Sequence, residues 1–338
     1  CVHGLTVDEA QQCANKAKAA KPALIINGID FFSPAMYPIW TGIPVMQTVP
    51  IFVADFNTPG VFSAFGGCVS SFPGGAKFLK DIYGADKAVI IYSDNAPGQQ
   101  CYADTEDRFY TKVGLPHLGV KDAPGDPSDN DANAQAAIDY LKDAKKGAVY
   151  FGIQASDCAE YFKALNKAGF TGQIVVSGSC ADESVLSIPE SKGVIFDQQA
   201  YIVDQPTLYS EFVQREIASR EAAIKDFGPT APLSAFMRVA FSAVVFAYQV
   251  MNEVVAAGGD PGDNATLLAA IGKVGTHHIV ASPPVSCATN APDYKSVCKK
   301  SLTYTTWDGE KYVPYPGLDG KYIDLTELLA SIEPRPTS

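Results

Sequence analysis

Between residues 75 and 198, short apolar runs alternate with helix-length segments, and this alternation limits the possible folds more than any other feature of the chain. The runs 88–92, 116–120, 148–151, 173–176 and 193–196 predict strands, and 75–82, 99–112, 131–143 and 157–167 predict helices. Continuous apolar runs suit strands buried on both faces, and strands separated by helices form a parallel, doubly wound sheet. The opening follows the same rule. Thr6-Val7-Asp8-Glu9 reads as a capping box for a helix to about Ala20, which Pro22 stops, and 23–27 is an apolar run closing at Gly28. Ser33-Pro34 reads as an N-cap followed by a first-turn proline, before a short helix toward Trp40 and a strand at 43–46. Residues 49–75 are rich in proline and glycine. From Leu208 the pattern turns helical, over 208–227, 233–257 and 264–273, and Asp308-Gly309 marks a hairpin between 302–307 and 311–313.

A chain of 338 residues, 47% hydrophobic and 19% charged, buries more than one core usually supports, so two domains or one large α/β body are expected. With 26 basic against 37 acidic residues the net charge is -11, which repels phosphate backbones and excludes nucleic acid as a partner. The most apolar stretch, 239–251, is interrupted by Ser242, Tyr248 and Gln249 and is shorter than the roughly 20 residues of a membrane span. No basic and then apolar leader opens the sequence, so a signal peptide is expected to have been removed or to lie outside this sequence. Eight cysteines occur as the close couples Cys1 and Cys13, Cys158 and Cys180, Cys287 and Cys298, with Cys68 and Cys101 left over. None has the two-residue spacing of a zinc or redox motif, so disulfides within these couples, with Cys68 to Cys101 as a fourth, and export to an oxidising place, are expected. Buried free thiols are the alternative.

Catalytic patterns are missing. The chain has no GxSxG, HExxH, P-loop or GxGxxG, and Ser177-Gly178-Ser179-Cys180 misses the nucleophile elbow by its spacing. The calcium-loop candidate at 129–133 lacks the turn glycine, and its twelfth position is Tyr140. Asp104, Glu106 and Asp107 read as a solvated face, and Asn264-Ala265-Thr266 fits a glycosylation sequon. No enzyme activity, cofactor or metal is therefore expected. The distinctive residues stand at strand ends, where open α/β sheets take their ligands. Asp30, Phe31, Phe32, Ser33, Gln47, Thr48, Asn95, Pro97, Gln154 and Ser179 mix aromatic with neutral polar groups, as a small-molecule pocket does. The alternative is that Phe31 and Phe32 belong to the core.

Residues 87–98, Lys87-Ala88-Val89-Ile90-Ile91-Tyr92-Ser93-Asp94-Asn95-Ala96-Pro97-Gly98, resemble the strand and loop that open the second lobe of type I periplasmic solute-binding proteins. This is the leucine/isoleucine/valine-binding family of ABC importers. In chain order, 23–28 with Gly42-Ile43-Pro44, 162–170, 234–253 and 307–329 are similar to further family segments, so the resemblance covers nearly the whole chain. It implies two doubly wound lobes joined by three hinge segments, near 83–86, near 199–205 and within 281–301. Lobe 1 would take 1–84 and 204–285, and lobe 2 would take 85–203 and 286–338. It further implies a protein of the periplasm or cell surface that captures a small solute between its lobes by hinge closure and passes it to a membrane permease. A ligand-sensing receptor ectodomain and an extracellular hydrolase are the rival readings.

Three departures from the family pattern shape the expectations. The family's first strand, helix and second strand have no counterpart here, so the native polypeptide is expected to extend N-terminal to Cys1, or another chain to complete lobe 1. Pro97 stands where many members carry a tyrosine. Ser179 falls near the position of the acidic residue that holds a ligand ammonium. An apolar or aromatic solute is therefore expected in place of a zwitterionic amino acid.

Overall fold

The computed structural model describes residues 4, 6–103, 107–123, 125–153, 155–202, 205–227, 235–275, 277–279, 282–288, 291–318 and 321–334. The chain forms two compact units: unit 1 comprises Cys1–Val69, Ser210–Lys300 and Thr326–Ser338, and unit 2 comprises Ser70–Tyr209 and Ser301–Leu325. Its strands are β1 (Ile25–Asn27), β2 (Val45–Gln47), β3 (Val61–Ser63), β4 (Lys87–Ser93), β5 (His117–Asp122), β6 (Gly147–Gly152), β7 (Gln173–Val176), β8 (Ile195–Gln198), β9 (His277–Ile279), β10 (Ser282–Val285), β11 (Ser301–Trp307), β12 (Tyr312–Pro314) and β13 (Ile323–Asp324). Its helices are α1 (Val7–Ala19), α2 (Ser33–Met36), α3 (Val53–Asn57), α4 (Cys68–Lys77), α5 (Ala96–Cys101), α6 (Asp107–Lys112), α7 (Pro127–Leu141), α8 (Ala155–Lys167), α9 (Glu183–Leu186), α10 (Glu211–Phe227), α11 (Ala235–Ala256), α12 (Asn264–Lys273) and α13 (Thr326–Ala330).

Unit 1 is organised on a parallel sheet of order β1-β2-β3, with Ile25 opposite Val45 and Val45 opposite Val61. These three side chains share one face, because strand residues alternate between faces. Ala10 and Ala14 of α1, together with Met36, Tyr37 and Trp40, bury that face. Thr6 caps α1 by accepting from Glu9 N, while its hydroxyl donates to Glu9 Oε2, so the carboxylate bonds the hydroxyl of the cap. The Trp40 indole donates to Ala14 O at 3.1 Å and ties α1 to the segment after α2. Residues 296–298 continue the sheet beside β3, with Ser63 N donating to Ser296 O and Cys298 N to Ser63 O. The Nζ of Lys299 donates to Ser282 Oγ and Pro283 O, and that of Lys300 to Ser286 O and Ala288 O.

Two expectations for this unit are corrected. Residues 49–75 contain α3 and β3, elements too short to show a period between their flanking turns, and the start of α4, which begins at Cys68 instead of near Gly75. The stretch discounted as too short for a span lies inside a longer helix, and Arg238–Ala256 is long and apolar enough to cross a membrane by length and composition. One third of it is buried within the structure, and it packs against α10, α12 and β9. Arg238 of α11 forms a bidentate ion pair with Glu221 of α10.

Unit 2 holds an eight-stranded sheet of order β12-β11-β8-β7-β6-β4-β5, with β13 paired to β11. Strands β4 to β8 are parallel, as the alternation predicted, and β11 and β12 close the other edge as an antiparallel hairpin. Asp308 Oδ1 accepts from Glu310 N and Lys311 N and so sets the hairpin turn. Val89, Ile91, Val149 and Phe151 of the sheet pack against Tyr161, Phe162 and Leu165 of α8. The helix expected over 99–112 is divided into α5 and α6, and 104–106, which carry part of the acidic cluster, lie outside the described residues. Disulfides join Cys158 to Cys180 and Cys287 to Cys298, as their spacing suggested. Cys13, Cys68 and Cys101 are each disulfide-bonded as well, while Cys1 lies outside the described residues.

Candidate functional site

In unit 1 the strand-end residues gather around a buried carboxylate. Asp55, at the start of α3, is fully buried. It accepts from Ser33 Oγ at 2.7 Å, Tyr37 OH at 2.5 Å, Ile51 N at 2.7 Å and Phe52 N at 2.8 Å. Burial raises its pKa against the pull of these donors. Burial and the adjacent Asp55 carboxylate push the Tyr37 phenol well above its ordinary value. Gln47 is equally committed, with Nε2 donating to Gly28 O and Val49 O and Oε1 accepting from Asn27 Nδ2 at 2.8 Å. Asp30 Oδ1 accepts from Phe32 N at 2.7 Å and shapes the turn after β1.

The N-cap expectation for Ser33 is corrected. Phe32 is the cap residue, and Ser33 is the first helical residue, its hydroxyl drawn inward by Asp55. Thr48 is buried, and its amide donates to Asn27 O. Phe32 is half-buried against the core of the unit, which agrees with the core alternative for that residue. Phe31 is not core: its ring is 50% exposed at the carboxyl end of β1.

In unit 2, Asn95 caps α5 by accepting from Gly98 N at 2.8 Å, and Pro97 occupies the first turn. A Cβ at residue 98 would sit 2.2 Å from Ser93 O, so only glycine allows this loop to close. Ser179 is exposed on the turn after β7, yet its hydroxyl donates to Ile153 O at 2.9 Å and accepts from Ser177. Asp182 caps α9 through Ser184 N and Oγ, and these donors hold its carboxyl below the usual range. Gln154 lies outside the described residues.

The turn that carries Ser179 is anchored from β8. Asp197, buried at the strand end, accepts from Gly178 N at 2.9 Å and from Tyr150 OH at 3.1 Å. Burial pushes its pKa to about 6, against hydrogen bonds from Ser71, Gly178 and Tyr150. Asp122, at the end of β5, accepts from Tyr161 OH at 2.9 Å, and its pKa also rises to about 6 through burial and the charges of Asp157 and Asp129. The sequence reading missed Asp55, Tyr37, Asp197 and Tyr150. A charged residue ending the apolar run 194–197 was the available signal for Asp197, whereas Asp55 sat in a stretch with no readable period.

Most polar side chains of the two strand-end regions already serve internal hydrogen bonds, and among the described residues no group of three or more histidine, cysteine or carboxylate side chains could hold a metal. What faces outward is the Phe31 ring, the Ser179 turn and the loop of Pro97.

Comparisons with known proteins agree with this architecture. A family model described as periplasmic binding protein matches residues 3–277. The fold is similar to a putative branched-chain amino acid ABC transporter protein from Rhodospirillum rubrum, at 18% identity and TM-score 0.69, over 92% of this chain and 85% of that one. It is similar to a leucine binding protein from Thermotoga maritima, at 17% identity and TM-score 0.68, over 92% and 85% of the respective chains. It is also similar to a solute binding protein of an ABC transporter from Rhodopseudomonas palustris BisB5, solved with 3,4-dihydroxybenzoic acid, at 18% identity and TM-score 0.67, over 95% and 84%. At these identities the likeness is one of fold. No curated protein matches the chain.

Proposed function

Because the chain belongs to the periplasmic binding protein family, we propose that it is the solute-capturing component of an ABC-type uptake system, exported and working with a membrane permease. The strand-end loops of its units take the solute, and the protein performs no covalent chemistry. The solute is small and aromatic or apolar, with few charges. The observation that carries this choice is the half-exposed Phe31 ring, set among polar side chains that are already hydrogen-bonded inside the fold. A zwitterionic amino acid brings an ammonium that needs a carboxylate or several acceptors when desolvated. Asp30 is turned to Phe32 N and Asp182 to α9, which leaves Ser179 with a neutral hydroxyl in the place considered. Aromatic contact then supplies most of the affinity.

Calorimetric titration tests the reading with benzoate, 3,4-dihydroxybenzoate, leucine and valine. Micromolar binding of an aromatic solute, weakened at least tenfold by Phe31→Ala, is expected. Micromolar leucine or valine binding that Asp30→Ala or Asp182→Ala abolishes, and that Phe31→Ala leaves untouched, would overturn it.

The partner proposal includes a further strand for unit 1. Among the described residues β1 pairs only with β2, and Ile26 at its centre is 38% exposed although its neighbour Met46 is fully buried. Backbone groups along such an edge seek partners. A second chain supplies them in this proposal. A protein that is folded and monomeric in solution would contradict it.

A further inference from the structure

We infer that unit 1 carries a second small-molecule site, an apolar pocket that admits one uncharged ring beneath the α2 segment, separate from the strand-end surface of Phe31. The pocket has a volume of about 140 Å³, and Tyr37, Trp40, Ile43, Val45, Thr58 and Val61 form most of its lining. Tyr37, Trp40, Val45 and Val61 of this lining are buried. The pocket's size is close to that of the ~150 Å³ apolar cavity known to hold benzene. Exposed Thr41 and Pro59 stand at its mouth, which gives a ligand a way in.

The lining sets the chemical class. No lining residue is charged, so a carboxylate or ammonium entering the pocket would lose its water without a partner. The Thr41 hydroxyl is already donated to Pro38 O at 2.9 Å. Among the described residues the Thr58 hydroxyl has no hydrogen-bond partner, and it is the remaining polar handle. Tyr37 and Trp40 present tilted rings, 58° apart with centroids separated by 6.3 Å, which suits edge and face contact with a third ring. A neutral ring carrying one hydroxyl or N–H, phenol-like or indole-like, satisfies all of these conditions.

The pocket is also wired to the strand-end loop. Tyr37 forms its wall with the ring and bonds Asp55 with the hydroxyl, and Asp55 holds Ser33 directly after Phe31 and Phe32. A ring that shifts Tyr37 therefore acts on the loop, and by linkage a solute on the loop acts equally on the pocket.

Phenol titrated into the full chain tests this, read by Trp40 emission in a Trp307→Phe background with excitation beyond the absorbance of phenol. The expected result is a saturable emission change that Ile43→Phe, which fills the pocket from its rim, weakens at least tenfold with no loss of thermal stability. Val45→Leu serves as the filler if Ile43→Phe does not fold. Thr58→Val should weaken phenol severalfold and leave benzene unchanged, and benzoate should bind at least tenfold more weakly than phenol. Phe31→Ala should leave the phenol response intact. A response that is absent, that survives both fillers, that benzoate reproduces, or that Phe31→Ala abolishes would overturn the inference.

Discussion

Asp55 in unit 1 and Asp197 in unit 2 are both buried carboxylates under strand-end loops, but the two units secure those loops by different means. In unit 1 four donors converge on Asp55 from α2, the segment after it and the turn before α3, on a sheet of three short strands. In unit 2, Asp197 bonds the turn through Gly178 N, the Cys158–Cys180 disulfide pins the same turn covalently to α8, and eight strands stand behind it. A small sheet thus leans on a polar hub, and a large one divides the task between a carboxylate, a covalent bond and the apolar core. The lesson is that removing one side chain should cost more in unit 1 than the equivalent change in unit 2.

The largest expected effect follows from removing the hub. Asp55→Ala leaves the Ser33 hydroxyl and two amides without their acceptor and the Tyr37 hydroxyl with Gln47 Oε1 alone, and a loss of about 3–5 kcal/mol in urea unfolding is expected. A loss below that of Asp197→Ala would break the comparison. Next, replacing both Cys158 and Cys180 by alanine opens a loop of sequence separation 22 and should cost about 3 kcal/mol in the chain-entropy account. If the double variant matches the parent in denaturant midpoint, the covalent pin contributes nothing and unit 2 rests on its core alone.

The third prediction concerns pH. The folded Asp197 carboxyl has a pKa of about 6 against 3.8 as the ordinary value, so the folded state holds its proton longer than the unfolded state does. The contribution to stability is full below about pH 4 and is lost as the pH rises through 6. Relative to the parent, Asp197→Asn should therefore gain roughly 2–3 kcal/mol of stability between pH 4 and pH 7. Parallel pH curves for the two proteins would remove the buried carboxylate from the account. The smallest effect on stability is expected at Phe31, where truncation of an exposed ring to alanine should change unfolding by no more than about 0.5 kcal/mol. A loss above 2 kcal/mol would return Phe31 to the core.

The parts of this comparison were unequally legible in the sequence. Strand β7 and helix α12 lie where the apolar pattern placed them, because both are framed by turn residues and bury apolar side chains, Val175 and Val176 in the strand and Leu267 and Ile271 in the helix. Two disulfides were readable from close spacing. The short elements α3 and β3 were not, since three to five residues are too few for a period to emerge. Ser33 was read as a cap from Ser-Pro, a local signal, and a carboxylate 22 residues away outbid that role. Gln47 and Asn95 stand at strand ends as read, but their side chains were found bonded to the fold itself.

The sequence by itself determined the run of strands and helices, the parallel sheet of unit 2, the hairpin at Asp308 and the absence of charge suited to nucleic acid. These follow from which side chains need burial at a period of 2 or 3.6, a property carried by neighbours along the chain. Only the tertiary structure decided which polar groups are spent and which remain. Asp55, Tyr37 and Gln47 meet because β1, β2 and α3 are brought side by side, and a hydrogen bond depends on a partner within about 3 Å, wherever in the chain that partner lies.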